Sequence, residues 1–466
     1  MRVVYIDIDS LRADHVGTYG YDAPTTPNLD EFAADAVAFD NAYVANSPCL
    51  PSRAALLSGR YGMRNGVETH GPRSQRLDHP VNDVDWAGTW SDHVPSRPWW
   101  SLPRLFYEER VPTLAVSSFP RHPAPWFHDT WHEVHQPQEP SGGYESFQTP
   151  RAESVVDRAI DVLTRYEDRN FFAYIQLWDP HGPYLRSHEE VEAFADVPMP
   201  EYPTADAIAD HQCWNAWRSA DHMDVNDRND LRELIANYDA EIRYTDRHAG
   251  RLLAYLKSNN VYDNSLIVVT ADHGEEFGEH GLYREHWSTH DGTQRVPLLV
   301  KPPADTDYEP GHRPQLVTNV DMAPTLAAYA GLDAPPRWQG DSLRAVLESA
   351  DEPWRDAVVF DHGLYTAQRA IRTDRWKLIK TYHAGMWEGP IPDVQLYDME
   401  ADPWEQSDLS ELELEVVDRL ECKMAVWVEE HLGSDEDALR TVATHGPAGY
   451  RAFRDEFEGV TSTDGN

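Results

Sequence analysis

The sequence predicts an α/β fold: a large, mostly parallel sheet flanked by helices, followed by a smaller α+β domain. Three observations predict it. Apolar runs of strand length recur at residues 2–9, 171–177 and 265–270. Stretches with helical apolar spacing lie between them, at 152–166 and 231–257, and strands that alternate with helices imply parallel pairing. After about residue 335 the pattern changes to short strands at 357–361, 368–372 and 376–381, a turn-rich stretch, and a helix at 411–431. The chain has 466 residues. A single core rarely grows past roughly 250–300 residues, so two domains are predicted, at 1–335 and 336–466.

The elements follow in order. Val3-Val4-Tyr5-Ile6 opens the first strand, which ends in Asp7 and Asp9. A short helix is predicted at 29–38, then a strand at Ala38–Tyr43. The run Ser47-Pro48-Cys49-Leu50-Pro51-Ser52-Arg53 follows. Proline is favoured in the first helical turn, so a helix should start near Pro51, with Cys49 at its N-terminal mouth. Residues 70–105 are rich in Pro, Trp, Asp and Arg and lack periodicity, which predicts an irregular surface insertion carrying Trp86, Trp90, Trp99 and Trp100. A strand is expected at 111–118. The strand at 171–177 ends at Trp178-Asp179-Pro180-His181, and that at 265–270 ends at Asp272-His273-Gly274. Helical spacing over 231–257 comes from Leu231, Leu234, Ile235, Tyr238, Ile242, Leu252, Leu253 and Leu256.

Composition excludes several classes. Lys+Arg is 40 and Asp+Glu is 80, a formal charge of −40, which argues against binding nucleic acid through its phosphates. No apolar run approaches the ~20 residues of a membrane span. Met1 leads straight into a strand with no signal-peptide pattern, so a cytoplasmic protein is expected. The surface is acidic and poor in lysine (Lys257, Lys301, Lys377, Lys380, Lys423). In this it resembles cytoplasmic proteins of halophilic archaea, where high salt shortens the Debye length to about 3 Å at 1 M and lets an anionic substrate approach. The cysteines, Cys49, Cys213 and Cys422, are odd in number and widely spaced, neither a disulfide framework nor a zinc site.

In open α/β sheets ligands bind at the carboxyl ends of the strands. Three predicted strands end in metal-type residues: Asp7 and Asp9, His181, and Asp272-His273. Carboxylate oxygens suit hard cations such as Ca²⁺ or Mg²⁺. Asp7 and Asp9 are two apart and so share a strand face. A helix N-terminus favours an anion, and Arg53 lies one turn beyond Cys49. A buried structural cysteine gains nothing from that arginine; an anion-handling one does.

These residues match a known family. Cys49-Leu50-Pro51-Ser52-Arg53, continuing to Ser58-Gly59-Arg60, resembles the C-x-P-S-R signature of type I sulfatases. Asp9-Ser10-Leu11-Arg12 resembles the family's first metal motif, Asp179-Pro180-His181-Gly182-Pro183-Tyr184 its central one, and Asp272-His273-Gly274 its second metal motif. Val320–Thr325 and Leu396-Tyr397-Asp398 with Asp402-Pro403 are similar to its later landmarks. The resemblance implies an alkaline-phosphatase-like fold and hydrolysis of a sulfate monoester of a small molecule or carbohydrate. It implies a Ca²⁺ (less often Mg²⁺) site of Asp9, Asp272, His273 and the modified Cys49. It also implies conversion of Cys49 to formylglycine by a formylglycine-generating enzyme. The chemical logic is that a hydrated aldehyde offers two hydroxyls on one carbon, one to attack sulfur and one to expel sulfate afterwards. Arg53 would hold this group, and His181 would contact the sulfate or the leaving group.

The departures are specific. Ser10 stands where many members have a second metal-binding Asp, and Asp7 has no fixed counterpart. Two family lysines are missing: near residue 116 only His122 stands in, and Glu285 occupies the later lysine position, flanked by Arg284 and His286. His286 either replaces the lysine, as sulfate ligand or leaving-group acid, or is an ordinary surface histidine. Two other readings stay open, a phosphodiesterase or phosphonate monoester hydrolase using the same modified cysteine, and a non-catalytic anion-binding relative. Trp86, Trp90, Trp99, Trp100, Trp214 and Trp217 either form a lid or pack their own loops. Oligomeric state is not legible.

Overall fold

The architecture comes from a computed structural model, which describes residues 1–70, 101–119, 124–128, 131–137, 151–214, 224–387 and 391–451. Trp86, Trp90, Trp99, Trp100, Trp217 and His122 lie outside the described residues. The strands are β1 (Arg2–Ile8), β2 (Val37–Tyr43), β3 (Asn46–Ser47), β4 (Thr113–Val116), β5 (Glu133–His135), β6 (Phe171–Leu177), β7 (Ser265–Ala271), β8 (Glu276–Phe277), β9 (Tyr283–Glu285), β10 (Leu298–Lys301) and β11 (Gly311–Thr318). In the C-terminal part come β12 (Ala357–His362), β13 (Ala367–Thr373), β14 (Trp376–His383) and β15 (Val394–Asp398).

The large sheet has the order β11-β2-β10-β7-β1-β6-β4-β5. Strand β1 pairs in parallel with both β6 and β7, as alternation with helices predicts. Strand β10 is antiparallel to both β7 and β2, so the sheet is mixed. Sequence periodicity did not mark this four-residue strand, because a short apolar run carries no signal of its direction.

The central strands are apolar along their whole length because both faces are covered. Val4, Ile6 and Ile8 face the Ala152–Leu163 and Arg228–Ser258 helices. Val3 and Tyr5, one residue out of phase, face the Cys49–Ser58, Leu102–Glu108 and Met322–Ala330 helices. Each such buried side chain contributes about 1.5–3 kcal/mol of burial free energy. By the same alternation Asp7 and Asp9 fall on the Cys49 side. The predicted helix at 231–257 is longer, starting at an N-cap, Asp227, whose carboxylate accepts from the Asn229 and Asp230 amides.

The second sheet has the order β15-β14-β13-β12-β3. Its edge strand β3 comes from the N-terminal part of the chain and pairs in parallel with Asp361 and His362. The C-terminal sheet therefore reaches the residues immediately before Cys49. A buried lysine, Lys377 on β14, ties the layers together: its ammonium lies 2.7 Å from both Asp291 and Glu405.

Candidate active site

Register sets the frame. Ile8 is level with Leu177 on one side and Ala271 on the other, so the residues that follow, Asp9, Trp178 and Asp272, emerge at one height. The Asp9 amide still donates to the Leu177 carbonyl at 2.9 Å. Cys49 is the first residue of a helix whose ten residues are all buried; the helix begins two residues before the predicted Pro51. It stops at Gly59, whose φ of +62° is left-handed and where a Cβ would come within 2.6 Å of the Trp338 ring. Only glycine meets both demands.

Arg53, one turn into this helix and 1% exposed, reaches over the strand ends. Its Nε donates to Asp7 Oδ2 at 2.8 Å, its Nη2 donates to Asp9 Oδ2 at 2.9 Å, and its Nη1 lies 2.7 Å from Asp272 Oδ2. Tyr174 on β6 accepts from Arg53 Nε at 3.1 Å and donates to Asp7. The Arg53 guanidinium is covered by the Phe119 ring, 4.8 Å away, and the Trp178 ring, 5.8 Å away. The segment that lacks the family lysine thus contributes Phe119, while Ser118 accepts from the Trp178 indole.

The donor atoms of Asp9, Cys49, Asp272 and His273 lie within 4.8 Å of one another, and all four residues are buried. Cys49 Sγ is 3.2 Å from His273 Nε2, which is 3.7 Å from Asp9 Oδ1 and 3.5 Å from Asp272 Oδ2. His273 Nδ1 lies 2.7 Å from the Gly274 carbonyl. That carbonyl can only accept, so the ring proton sits on Nδ1 and Nε2 presents its lone pair to the site. Two carboxylates, one imidazole and the residue-49 side chain suit a divalent cation, so the residues present fit the metal that the sequence motifs imply.

Electrostatics agree. Burial pushes Asp7 up despite the opposing Arg53, and pushes Asp272 well up, helped by Asp9 and Asp7. Burial also opposes ionisation of Asp9, but Arg53, His181 and His273 outweigh it and hold its carboxyl below the usual range. Burial, with the adjacent His286, keeps His273 neutral. Burial raises the Cys49 thiol well above its ordinary value, and Asp9 and Asp272 add to this. Reactive cysteines are shifted the other way, so an unmodified thiol here is a poor nucleophile.

The remaining predicted residues line the same place. The His286 ring lies 4.2 Å from that of His273, and its donor atom groups with Cys49 and His273 within 4.8 Å. Its Nδ1 is 3.0 Å from Glu275. Burial opposes a charge on His286, but Glu275, with Glu285 and Asp9, lifts its pKa to about 9. His181 is 5.8 Å from His286, ring to ring, with Nδ1 2.6 Å from the Gly182 carbonyl. Glu285 ends β9 and is buried. The Trp214 and His211 rings lie 4.6 Å apart in a tilted arrangement, and Trp214 fills the space over Gly281, which packs its own segment.

Sequence reasoning missed Tyr174, Glu275, and the cluster Ser47, Gln294 and His362 behind Cys49. Ser47 Oγ is 2.8 Å from His362 Nδ1 and accepts from Gln294 Nε2 at 2.6 Å. Tyr174 carried a signal: with Gln176 it supplies the polar atoms of an otherwise apolar strand, two residues apart and hence on one face. The Ser47 cluster carried none, being assembled from segments far apart in the chain.

Comparison with known proteins agrees with this geometry. A family model described as Sulfatase matches residues 2–332, and one described as N-sulphoglucosamine sulphohydrolase, C-terminal, matches 278–428. The chain is 23% identical to an N-acetylglucosamine-6-O-sulfatase of Bacteroides thetaiotaomicron, covering 88% of this chain and 82% of that protein. It is 24% identical to an arylsulfatase of Clostridium perfringens, covering 93% and 95%. Among solved structures it resembles a protein in complex with its substrate D-glucosamine-2-N,6-O-disulfate (TM-score 0.72, 21% identity, 94% and 99% covered). It also resembles a phosphonate monoester hydrolase from Silicibacter pomeroyi (TM-score 0.71, 20% identity, 93% and 96% covered). These likenesses share the alkaline-phosphatase-like architecture predicted above. With the family model spanning most of its length over the residues that build the site, the chain belongs to the sulfatase family.

Proposed function

We propose that this enzyme hydrolyses a sulfate monoester, using a divalent cation held by Asp9, Asp272 and His273 together with a formylglycine made from Cys49. The observation that carries this reading is the buried convergence of Cys49, at a helix N-terminus, with Asp9, Asp272 and His273. An oxygen-rich donor set suits Ca²⁺, with Mg²⁺ the alternative. Kinship with an N-acetylglucosamine-6-O-sulfatase, and likeness to a protein solved with a glucosamine disulfate, support a carbohydrate ester as substrate.

When present, the cation and the aldehyde supply a polarising charge and a nucleophilic oxygen in place of sulfur. The chain's own residues do the rest. Arg53 holds Asp9 and Asp272 against the strand ends and offsets their charge. The positive end of the Cys49–Ser58 helix dipole lies at residue 49, where it favours an anion. His286, kept cationic by Glu275, binds the sulfate or protonates the leaving oxygen. Such an acid is needed because an alkoxide leaves poorly, and it is worth about 10²–10⁴-fold. His181 stands on the same wall.

The test compares turnover of para-nitrophenyl sulfate and bis-para-nitrophenyl phosphate by protein co-expressed with a formylglycine-generating enzyme. Intact mass should fall by about 18 Da on conversion of Cys49, the replacement of SH₂ by O. Faster turnover of the phosphodiester would favour the phosphonate or phosphodiester reading, which shares this donor set and the fold of the Silicibacter enzyme. Unconverted Cys49 in active native protein would overturn the mechanism. For the acid, His286→Ala should cost about 10²-fold or more in kcat on an alkyl sulfate and far less on the para-nitrophenyl ester.

A further inference from the structure

We infer that Asp7, which the sulfatase motifs do not include, is a positioning residue of the metal site. It fixes the Nε corner of Arg53 and supplies the carboxylate that Ser10 does not. The inference rests on the metal-site reading above.

Asp7 is 2% exposed and is the one charged residue among the buried residues of its strand. A buried ion pair stabilises a fold weakly, and an apolar side chain of similar size often does better. Its place is better explained by Arg53. The guanidinium is a rigid planar fork, so fixing one nitrogen fixes the directions of the other two. Each Arg53 nitrogen meets a different carboxylate: Nε meets Asp7, Nη2 meets Asp9, and Nη1 meets Asp272. Tyr174 braces the Nε corner, touching both Arg53 Nε and Asp7. Without the Asp7 anchor the fork is free to tilt, and the oxygens of Asp9 and Asp272 lose their orientation toward His273.

Charge points the same way. With all three carboxylates ionised, the state that a bound cation would favour, one guanidinium leaves a surplus of two negative charges in a space closed to solvent, the charge that one divalent cation neutralises. Without Asp7 the surplus is one, and a divalent ion would be overcompensated. Asp7 Oδ2 accepts from Arg53 and Tyr174, while Asp7 Oδ1 has no hydrogen-bond partner among the described residues, so structural bonding uses one oxygen of this carboxylate and leaves the other. Ser10 occupies the position that carries the second aspartate elsewhere in the family. Its φ is +59°, its amide donates to Asp272 Oδ1 at 3.2 Å, and its hydroxyl donates to Asp9 Oδ1 at 3.1 Å. Left-handed backbone tolerates Asp better than most residues, so the missing carboxylate can be put back there.

The experiment titrates wild type, Asp7→Asn and Asp7→Asn/Ser10→Asp with calcium chloride by calorimetry. The proteins are first stripped with chelator, and melting temperature and conversion of Cys49 are recorded for each. Asn keeps the shape and the acceptor for Arg53 but removes the charge. Asp7→Asn should bind calcium about 10–100-fold more weakly, the usual cost of losing a group that supports metal ligands. Its stripped melting temperature should stay near that of wild type, and the double variant should recover most of the affinity. Calcium binding by Asp7→Asn equal to wild type, or a double variant no better than the single one, overturns the inference. If Asp7→Asn does not fold, the double variant decides: folded with recovered affinity supports the inference, and unfolded or non-binding overturns it. A wild type that binds neither calcium nor magnesium overturns the metal-site reading itself, and this inference with it.

Discussion

Two buried cations organise this molecule, and they sit in opposite electrostatic conditions. Lys377, at the junction of the sheets, meets Asp291 and Glu405 at 2.7 Å each. The anions there are well served: Glu405 Oε2 accepts from the Asp291 amide at 2.7 Å and has His280 at 3.8 Å, and Asp291 Oδ2 accepts from Tyr43. His280 is held toward its charged form by Glu405 and Glu276 against the effect of burial, so the cluster compensates itself. Arg53 faces three carboxylates, one of them with an oxygen that has no partner among the described residues. A buried charge cluster that balances is a structural joint. One that keeps a surplus is a site waiting for a ligand of opposite sign.

Four substitutions or treatments break or sharpen this comparison. The largest effect belongs to the Arg53 cluster and to chemistry. Cys49→Ala should reduce turnover by about 10⁴-fold or more, the scale of losing a nucleophile, with little change in urea stability. Similar activities for Cys49→Ala and wild type would place the chemistry elsewhere. The next effect belongs to the joint. Lys377→Met strands Asp291 and Glu405 and should cost about 3–5 kcal/mol in urea denaturation, without changing the affinity for calcium.

Third, calcium at a hundred times its Kd should stabilise the chelated wild type by about 2.7 kcal/mol, the linkage expected for one site. Lys377→Met should show the same increment, and Asp9→Asn should show little of it. An equal increment in all three proteins would mean that calcium binds outside the Arg53 cluster.

The gentlest effect is a change of slope with pH. Burial opposes ionisation of Glu405, but Lys377 and His280 outweigh it and bring the pKa down from 4.5 to about 2. A carboxyl depressed on folding contributes stability that is fully present above about pH 4.5 and is lost as pH falls through about 2. Glu405→Gln should therefore flatten the acid limb of the stability curve in that window and leave its slope near neutral pH unchanged. An unaltered acid limb would show that Glu405 is not held ionised by the joint.

The sequence by itself determined the α/β class, the strands at 171–177 and 265–270 and the helix carrying Cys49, and it singled out Cys49, Arg53, Asp9, His181, Asp272 and His273 as site candidates. These are legible because apolar periodicity and contiguous motifs are properties of neighbours in the chain. Only the tertiary structure decided the antiparallel course of β10, the reach of the second sheet to Asn46-Ser47, and the meeting of Asp7, Tyr174 and Arg53. Each of these depends on strand register and on which helix covers which face. Those are set by packing between segments separated by many residues, and no local pattern encodes them. The same holds for His286, whose adjacency to His273 and Glu275 comes from the β8–β9 hairpin folding back on the strand end.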